Sequence, residues 1–253
     1  EVFAVWGRKY GSPFRVPFFC GFSFFWAPLY FLRQDRQQYF ISCAKITIYI
    51  ERGGGSLFAY AFTFLAALAV TFILTPAVKN FAVQIGAVDK PDARKVHHGL
   101  VPRLGGLAIY AGFMVSVILT VGFTYEMTGI MIGATCLVFV GIADDIVSLP
   151  AKVKLLGQIL SAAVLVIFFD VNIDWIDLPY VGIIEFPLFI SIPLTIFWII
   201  GFINTVNLID GLDGLAAGIA TIASIAIALL AFQMGQWVSA AAMVAMTGAC
   251  LGF

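Results

Sequence analysis

The chain has 253 residues, 62% of them hydrophobic and only 11% charged, with 14 basic residues balanced by 14 acidic ones. A soluble domain carries roughly 25% charged residues, so a water-soluble globular protein is excluded and an integral membrane protein is expected. No nucleic-acid partner is expected.

The first stretch, residues 1–56, differs from the rest. It holds seven basic residues, nine phenylalanines and broken apolar runs with poor periodicity. A compact charged-then-apolar-then-small signal-peptide pattern is not seen there. The run Glu51-Arg52-Gly53-Gly54-Gly55 can be encoded by a purine-rich stretch like a bacterial ribosome-binding site, with Leu57 as a UUG start. Residues 1–56 are therefore expected to lie outside the natural product, and codons 51–55 test this. The alternative is an extracytoplasmic or interfacial extension. Residues 57–253 form the membrane-embedded domain.

From Leu57 onward, charge-poor stretches occur at 57–78, 104–125, 127–143, 155–169, 186–206 and 214–253. A spanning helix needs about 20 apolar residues. The last stretch holds two helices, with a polar break at Gln233–Gln236, and 155–169 must borrow flanking residues. The expected fold is all-α, a polytopic transmembrane helix bundle of about seven spans. The basic residues of this region are Lys79, Lys90, Arg94, Lys95, Arg103, Lys152 and Lys154, all in or beside the loops 79–103 and 144–154. The opposite loops hold Glu126, Asp170, Asp174, Asp177 and Glu185. Lysine and arginine favour the cytoplasmic side, so the two basic loops and the polar segment 204–214 are expected to face the cytoplasm. Cys136 and Cys250 fall within spans and show no metal-type spacing.

Three clusters carry chemistry. The first is Asp89-Lys90-Pro91-Asp92-Ala93-Arg94-Lys95-Val96-His97-His98, closing on Pro102-Arg103-Leu104-Gly105-Gly106. Its prolines favour a loop, and its cations suit phosphate. The simpler reading is a basic loop beside anionic lipid head groups. The second is Asp144-Asp145, followed by Lys152, Lys154 and Gln158. Adjacent carboxylates at a membrane edge repel unless a cation or proton is shared, and magnesium takes a few carboxylate oxygens, waters and a substrate phosphate. An acidic helix end is the alternative. The third is Asn204-Thr205-Val206-Asn207-Leu208-Ile209-Asp210-Gly211-Leu212-Asp213-Gly214. Spaced three apart, Asn204, Asn207, Asp210 and Asp213 share one face if helical. Such a stripe can bind magnesium or hydrogen-bond a nucleobase and sugar; an Asn/Gly turn with Asp as helix cap is the structural alternative.

In this order these clusters resemble the polyprenyl-phosphate N-acetylhexosamine-1-phosphate transferases (glycosyltransferase family 4), from about Leu57 to Phe253. The Arg-Lys-x-His and Pro-Arg-x-Gly-Gly elements look like the GlcNAc branch rather than the peptidoglycan branch. The resemblance implies transfer of GlcNAc-1-phosphate, or a related HexNAc-1-phosphate, from the UDP-sugar to undecaprenyl phosphate with release of UMP. It implies a first membrane step in teichoic-acid, O-antigen (lipopolysaccharide) or related cell-wall polymer synthesis, at a bacterial inner or plasma membrane. By matched position, Asp144 and Asp145 are catalytic. Asp144, Asp145, Asn207 and Asp210 hold magnesium, with manganese as an alternative ion. Asn204, Asn207, Asp210, Asp213, Lys154, Arg94, Lys95, His97 and Arg103 contact substrate. A homodimer is compatible with the family. Members continue with a Phe-Met-Gly-Asp-x-Gly-Ser element and a His-rich loop that would lie beyond Phe253, so the resemblance implies that this stretch alone does not turn over. Competing readings are the phospho-MurNAc-pentapeptide transferase of peptidoglycan synthesis and, in a different class, a secondary transporter with acidic ion sites. A CDP-alcohol phosphotransferase is disfavoured because Asp210-Gly211-Leu212-Asp213 lacks the arginine of its motif.

Overall fold

In the computed structural model of the chain, residues 57–89, 101–102, 104–178, 180–210 and 214–253 are described. The expectation for residues 1–56 lies outside them. The seven expected helices all form: α1 (Leu57–Gln84), α2 (Gly105–Thr120), α3 (Tyr125–Val147), α4 (Ala151–Ala163), α5 (Leu188–Ile209), α6 (Leu215–Gln233) and α7 (Trp237–Gly252). A π-helical turn, Val164–Phe168, extends α4. Five helices, with α4 counted through this turn, are long and apolar enough to cross a membrane. The short 155–169 stretch borrows Ala151–Lys154 from the preceding loop to do so. Helices α2 and α7 have 16 residues each and reach about 24 Å at 1.5 Å per residue, short of a bilayer's hydrocarbon core. They are also the helices most enclosed by neighbours.

Two antiparallel ribbons close the loops. β1 (Val88–Asp89) pairs with β2 (Val101–Pro102) between α1 and α2, and β3 (Trp175–Leu178) pairs with β4 (Gly182–Glu185) between α4 and α5. They mark opposite ends of the bundle. At the β1–β2 end, Ala82 on α1, Ala87 just after it, Leu104 before α2 and Ile142 on α3 form one apolar cluster. The end of α1, the start of α2 and the last turns of α3 therefore share one end of the bundle, the end to which the charge pattern assigns the loops 79–103 and 144–154. At the other end, the Thr124 hydroxyl caps α3 by accepting from Met127 N at 3.2 Å, and Tyr125 donates to Phe168 O. There Asp174 accepts from Ser191 at 3.1 Å.

The helices fall into two groups. α7 packs against α1, α2 and α6, while α4 packs against α3 and α5. The first group is built on small residues: Ala67 on α1 and Ala240, Ala241, Ala245 and Ala249 on α7 are fully buried. Between helices in lipid, where burial of apolar surface supplies no driving force, small side chains let backbones touch. Polar side chains in this seam are satisfied internally, as an apolar solvent requires. Ser116 on α2 donates to Thr63 O on α1 at 2.7 Å, and Thr63 donates to Ala59 O one turn back at 2.7 Å. A methyl added at Gly248 would stand 2.4 Å from Phe64 O. Gly248→Ala is therefore expected to destabilise the bundle by about 1–3 kcal/mol, the scale of overpacking, with a lowered unfolding temperature in detergent. Gly218→Ala on α6, where a methyl meets nothing within 4 Å, serves as the control that should not fall.

Candidate active site

The second cluster is assembled by a tight corner between α3 and α4. α3 ends in left-handed Ser148 (φ 53°), whose N–H returns to Asp144 O at 2.8 Å. Leu149 N then donates to Asp144 Oδ1 at 3.0 Å, and Pro150 starts α4 with a φ suited to a helix start. This reversal brings Lys154, in the first turns of α4, back over the end of α3. Its Nζ lies 2.9 Å from Asp144 Oδ2. Both oxygens of Asp144 are thus engaged, one by backbone and one by an ammonium.

α5 supplies the third cluster. Asn207 Oδ1 accepts from the same Lys154 Nζ at 3.5 Å. One turn earlier, Asn204 Nδ2 donates to Gln158 Oε1 at 3.0 Å and to Ile200 O at 2.9 Å. Asn204 and Asn207 therefore do share a face, turned toward α4. The stripe does not continue as helix: α5 stops at Ile209, and Asp210 takes a non-helical ψ of 66°. Glycine backbone entropy at 211 and 214 disfavours continuation, and Gly214 adopts φ 74°. Asp213, Arg94, Lys95, His97 and Arg103 lie outside the described residues. Gln158 was not singled out from the sequence as a site residue. Its position one helical turn after Lys154, on the same face, was the available signal.

The charges sit against the helix dipoles. Asp144 and Asp145 occupy the last turn of α3 and Asp210 the C-cap of α5, where partial negative charge already accumulates; Lys154 lies near the N-terminus of α4, where it is positive. Placement that costs local helix stability at three termini is what a site for a cation beside an anion needs. The donor set is all hard oxygen: the carboxylates of Asp144, Asp145 and Asp210 and the amide oxygen of Asn207. Asp144 Oδ2 and Asn207 Oδ1 already converge on one positive centre, the Lys154 ammonium. Among the described residues no three Asp, Glu, His or Cys side chains form a self-sufficient metal cage. Magnesium does not require one, since it keeps waters and takes one or two carboxylates plus substrate phosphates. These residues fit that ion.

A cavity of about 480 Å³ opens at this cluster. Its polar mouth is formed by Asp144, Asp145, Lys154, Asn207 and Asp210. Its shaft runs between the two helix groups along α3 as far as Met127, about 27 Å by helical rise, close to the thickness of a bilayer's hydrocarbon core. The shaft wall is apolar apart from Tyr110, Gln158 and Ser239. Tyr110 is held by Thr135 Oγ1 at 2.6 Å.

Comparison with known proteins gives a consistent picture. A model of glycosyl transferase family 4 matches residues 127–253, which include every described residue of the mouth. A probable undecaprenyl-phosphate N-acetylglucosaminyl 1-phosphate transferase of Bacillus subtilis is 40% identical over 192 residues, covering 75% of this chain and 53% of that protein. A decaprenyl-phosphate N-acetylglucosaminephosphotransferase of Mycolicibacterium smegmatis is 34% identical over 212 residues, 75% of this chain and 51% of its own length. An undecaprenyl-phosphate alpha-N-acetylglucosaminyl 1-phosphate transferase of Salmonella typhi is 32% identical over 109 residues, 42% of this chain and 30% of that protein. The chain spans about half the length of the Bacillus and Mycolicibacterium relatives.

Proposed function

Because the chain belongs to glycosyl transferase family 4, we propose that the protein transfers GlcNAc-1-phosphate, or a related HexNAc-1-phosphate, from a UDP-sugar to undecaprenyl phosphate and releases UMP. The observation that carries this reading is the shape of the cavity: a charged mouth at one end of the bundle leading into an apolar shaft about as long as a bilayer's hydrocarbon core is thick. That form suits a ligand with a phosphate head and a long hydrocarbon tail. The names of the relatives supply the same acceptor class and the sugar phosphate. A secondary transporter would place its acids near mid-span, whereas Asp144, Asp145 and Asp210 stand at helix ends.

In this reaction an oxygen of the lipid phosphate forms a bond to the sugar-linked phosphorus, and the bond from that phosphorus to UMP breaks. Such transfer depends on positioning and charge stabilisation. Lys154 offsets the charge of the incoming phosphate, and Asp144, fixed at both oxygens, holds Lys154 in place. Asn207 and Asp210 face the nucleotide side. Magnesium, held by Asp144, Asp145, Asn207 and Asp210 together with substrate, would neutralise the diphosphate and stabilise the departing UMP. The basic residues Lys79, Lys152 and Lys154 belong to the mouth end and the acids of 126 and 170–185 to the other. This asymmetry supports a mouth that opens at the cytoplasmic face of a bacterial inner membrane.

The test is formation of lipid-linked sugar from labelled UDP-GlcNAc and undecaprenyl phosphate by the whole protein in membranes. No product from any UDP-HexNAc would sink the reading. Gly141, one turn before Asp144, lines the shaft, and a Cβ added there meets nothing within 4 Å. Gly141→Phe is expected to fill the shaft and lower transfer at least about tenfold, the scale of a lost lipid contact surface, with unfolding temperature preserved. Gly141→Ala should remain close to wild type.

A further inference from the structure

Below the Asp144–Lys154–Asn207 contacts lies a second, neutral rung between α4 and α5, the pair Gln158–Asn204. Gln158 is only 3% exposed, yet it lines the cavity. A buried amide must satisfy its polar atoms, and the orientation of this one follows from its neighbours. Ile200 O can only accept, so the nitrogen of Asn204 faces it; the second Asn204 N–H is then directed to Gln158, and only the Gln158 oxygen can receive it. That turns Gln158 Nε2, with two N–H donors, away from Asn204. No described residue accepts from it. Gln158 stands one helical turn beyond Lys154, about 6 Å farther from the mouth along α4. A phosphoryl oxygen that reaches this depth belongs to a molecule anchored in the shaft rather than to a soluble nucleotide.

We propose that the Gln158 side-chain amide is a binding group for the membrane-anchored phosphate, donating from Nε2 to a phosphoryl oxygen of the acceptor, and that Asn204 is the positioning residue that fixes its orientation. A phosphate is acceptor-only, so a fixed amide donor beside the Lys154 ammonium discriminates it without adding charge to the apolar shaft. The inference rests on the transfer reaction proposed above.

Gln158→Glu tests it in the whole protein. Glutamate keeps an oxygen for Asn204 and replaces the donors by an acceptor. The KM for undecaprenyl phosphate is expected to rise about tenfold or more, the scale of a lost hydrogen bond to a charged group, while the KM for UDP-GlcNAc is unchanged. Asn204→Asp should give the same acceptor-selective rise, because a carboxylate at 204 draws the Gln158 N–H out of the cavity. This second variant, and Gln158→Met, decide by the same criterion if Gln158→Glu does not fold. An unchanged acceptor KM, or a rise confined to UDP-GlcNAc, overturns the assignment. Direct binding of labelled undecaprenyl phosphate to wild type and variant separates the two levels. Absence of turnover in the wild type refutes the reaction. Equal binding by wild type and variant refutes only the role of Gln158.

Discussion

In the whole protein, Asp144→Asn and Asp145→Asn are each expected to lower sugar-phosphate transfer by about 100-fold or more, the scale of removing a positioned catalytic group. The structure makes the consequence for Asp144 specific. Its carboxylate accepts from Leu149 N with one oxygen and from Lys154 Nζ with the other. An amide has one acceptor oxygen. If that oxygen stays with Leu149 N, the new NH2 faces the ammonium, donor against donor, and Lys154 swings off. If it turns to Lys154, the α3–α4 corner loses its side-chain tie. Either way the cation is no longer held over the mouth, and the negative charge offered to a metal falls by one. The effect should appear in kcat, with the protein still monodisperse in detergent, because the side chain of Asp144 is one-quarter exposed and its loss opens no core cavity. Near-normal turnover in both variants would overturn the catalytic assignment.

Lys154→Met should reduce transfer by a similar factor, about 100-fold, as expected when one charge-stabilising donor leaves a phosphate site. The ammonium is the link between all three walls of the mouth, touching Asp144 on α3 and Asn207 on α5 from α4. Methionine keeps the length and the apolar stem but leaves Asp144 facing a neutral neighbour. Lys154→Arg should recover part of the loss, because charge returns while the planar fork cannot reproduce the point contact made by an ammonium between two oxygens. Stability should change little in either variant, since an ion pair this exposed contributes at most about 1 kcal/mol. A Lys154→Met protein with wild-type kcat and KM would remove Lys154 from the site.

Much of this protein was legible before any tertiary structure, for a clear reason. In lipid the backbone must bond within its own segment, so apolar length translates directly into helices. The six charge-poor runs, the last split in two, became the seven helices, and the polar break at Gln233–Gln236 became the turn between α6 and α7. Charge asymmetry likewise grouped the basic loops at one end, where Ala82, Leu104 and Ile142 meet. Local backbone chemistry was harder to read. The i, i+3 spacing of 204–213 suggested one continuous stripe, but the helix ends at Ile209, and among the described residues Asn204 and Asn207 share its face.

By itself the sequence determined the membrane class, the helix count, the end of the bundle that carries the acids, and the family. Those depend on composition and on spacing along the chain. The tertiary structure alone decided that Lys154 bridges Asp144 and Asn207, that Asn204 spends its amide N–H groups on Gln158 and Ile200, and that an apolar shaft runs from this mouth between two helix groups. The contacts between α4 and α5 join residues 53 and 46 positions apart. They are set by how small residues let α1, α2 and α7 close together and by the sharp corner at Ser148, which no periodicity along a single helix encodes.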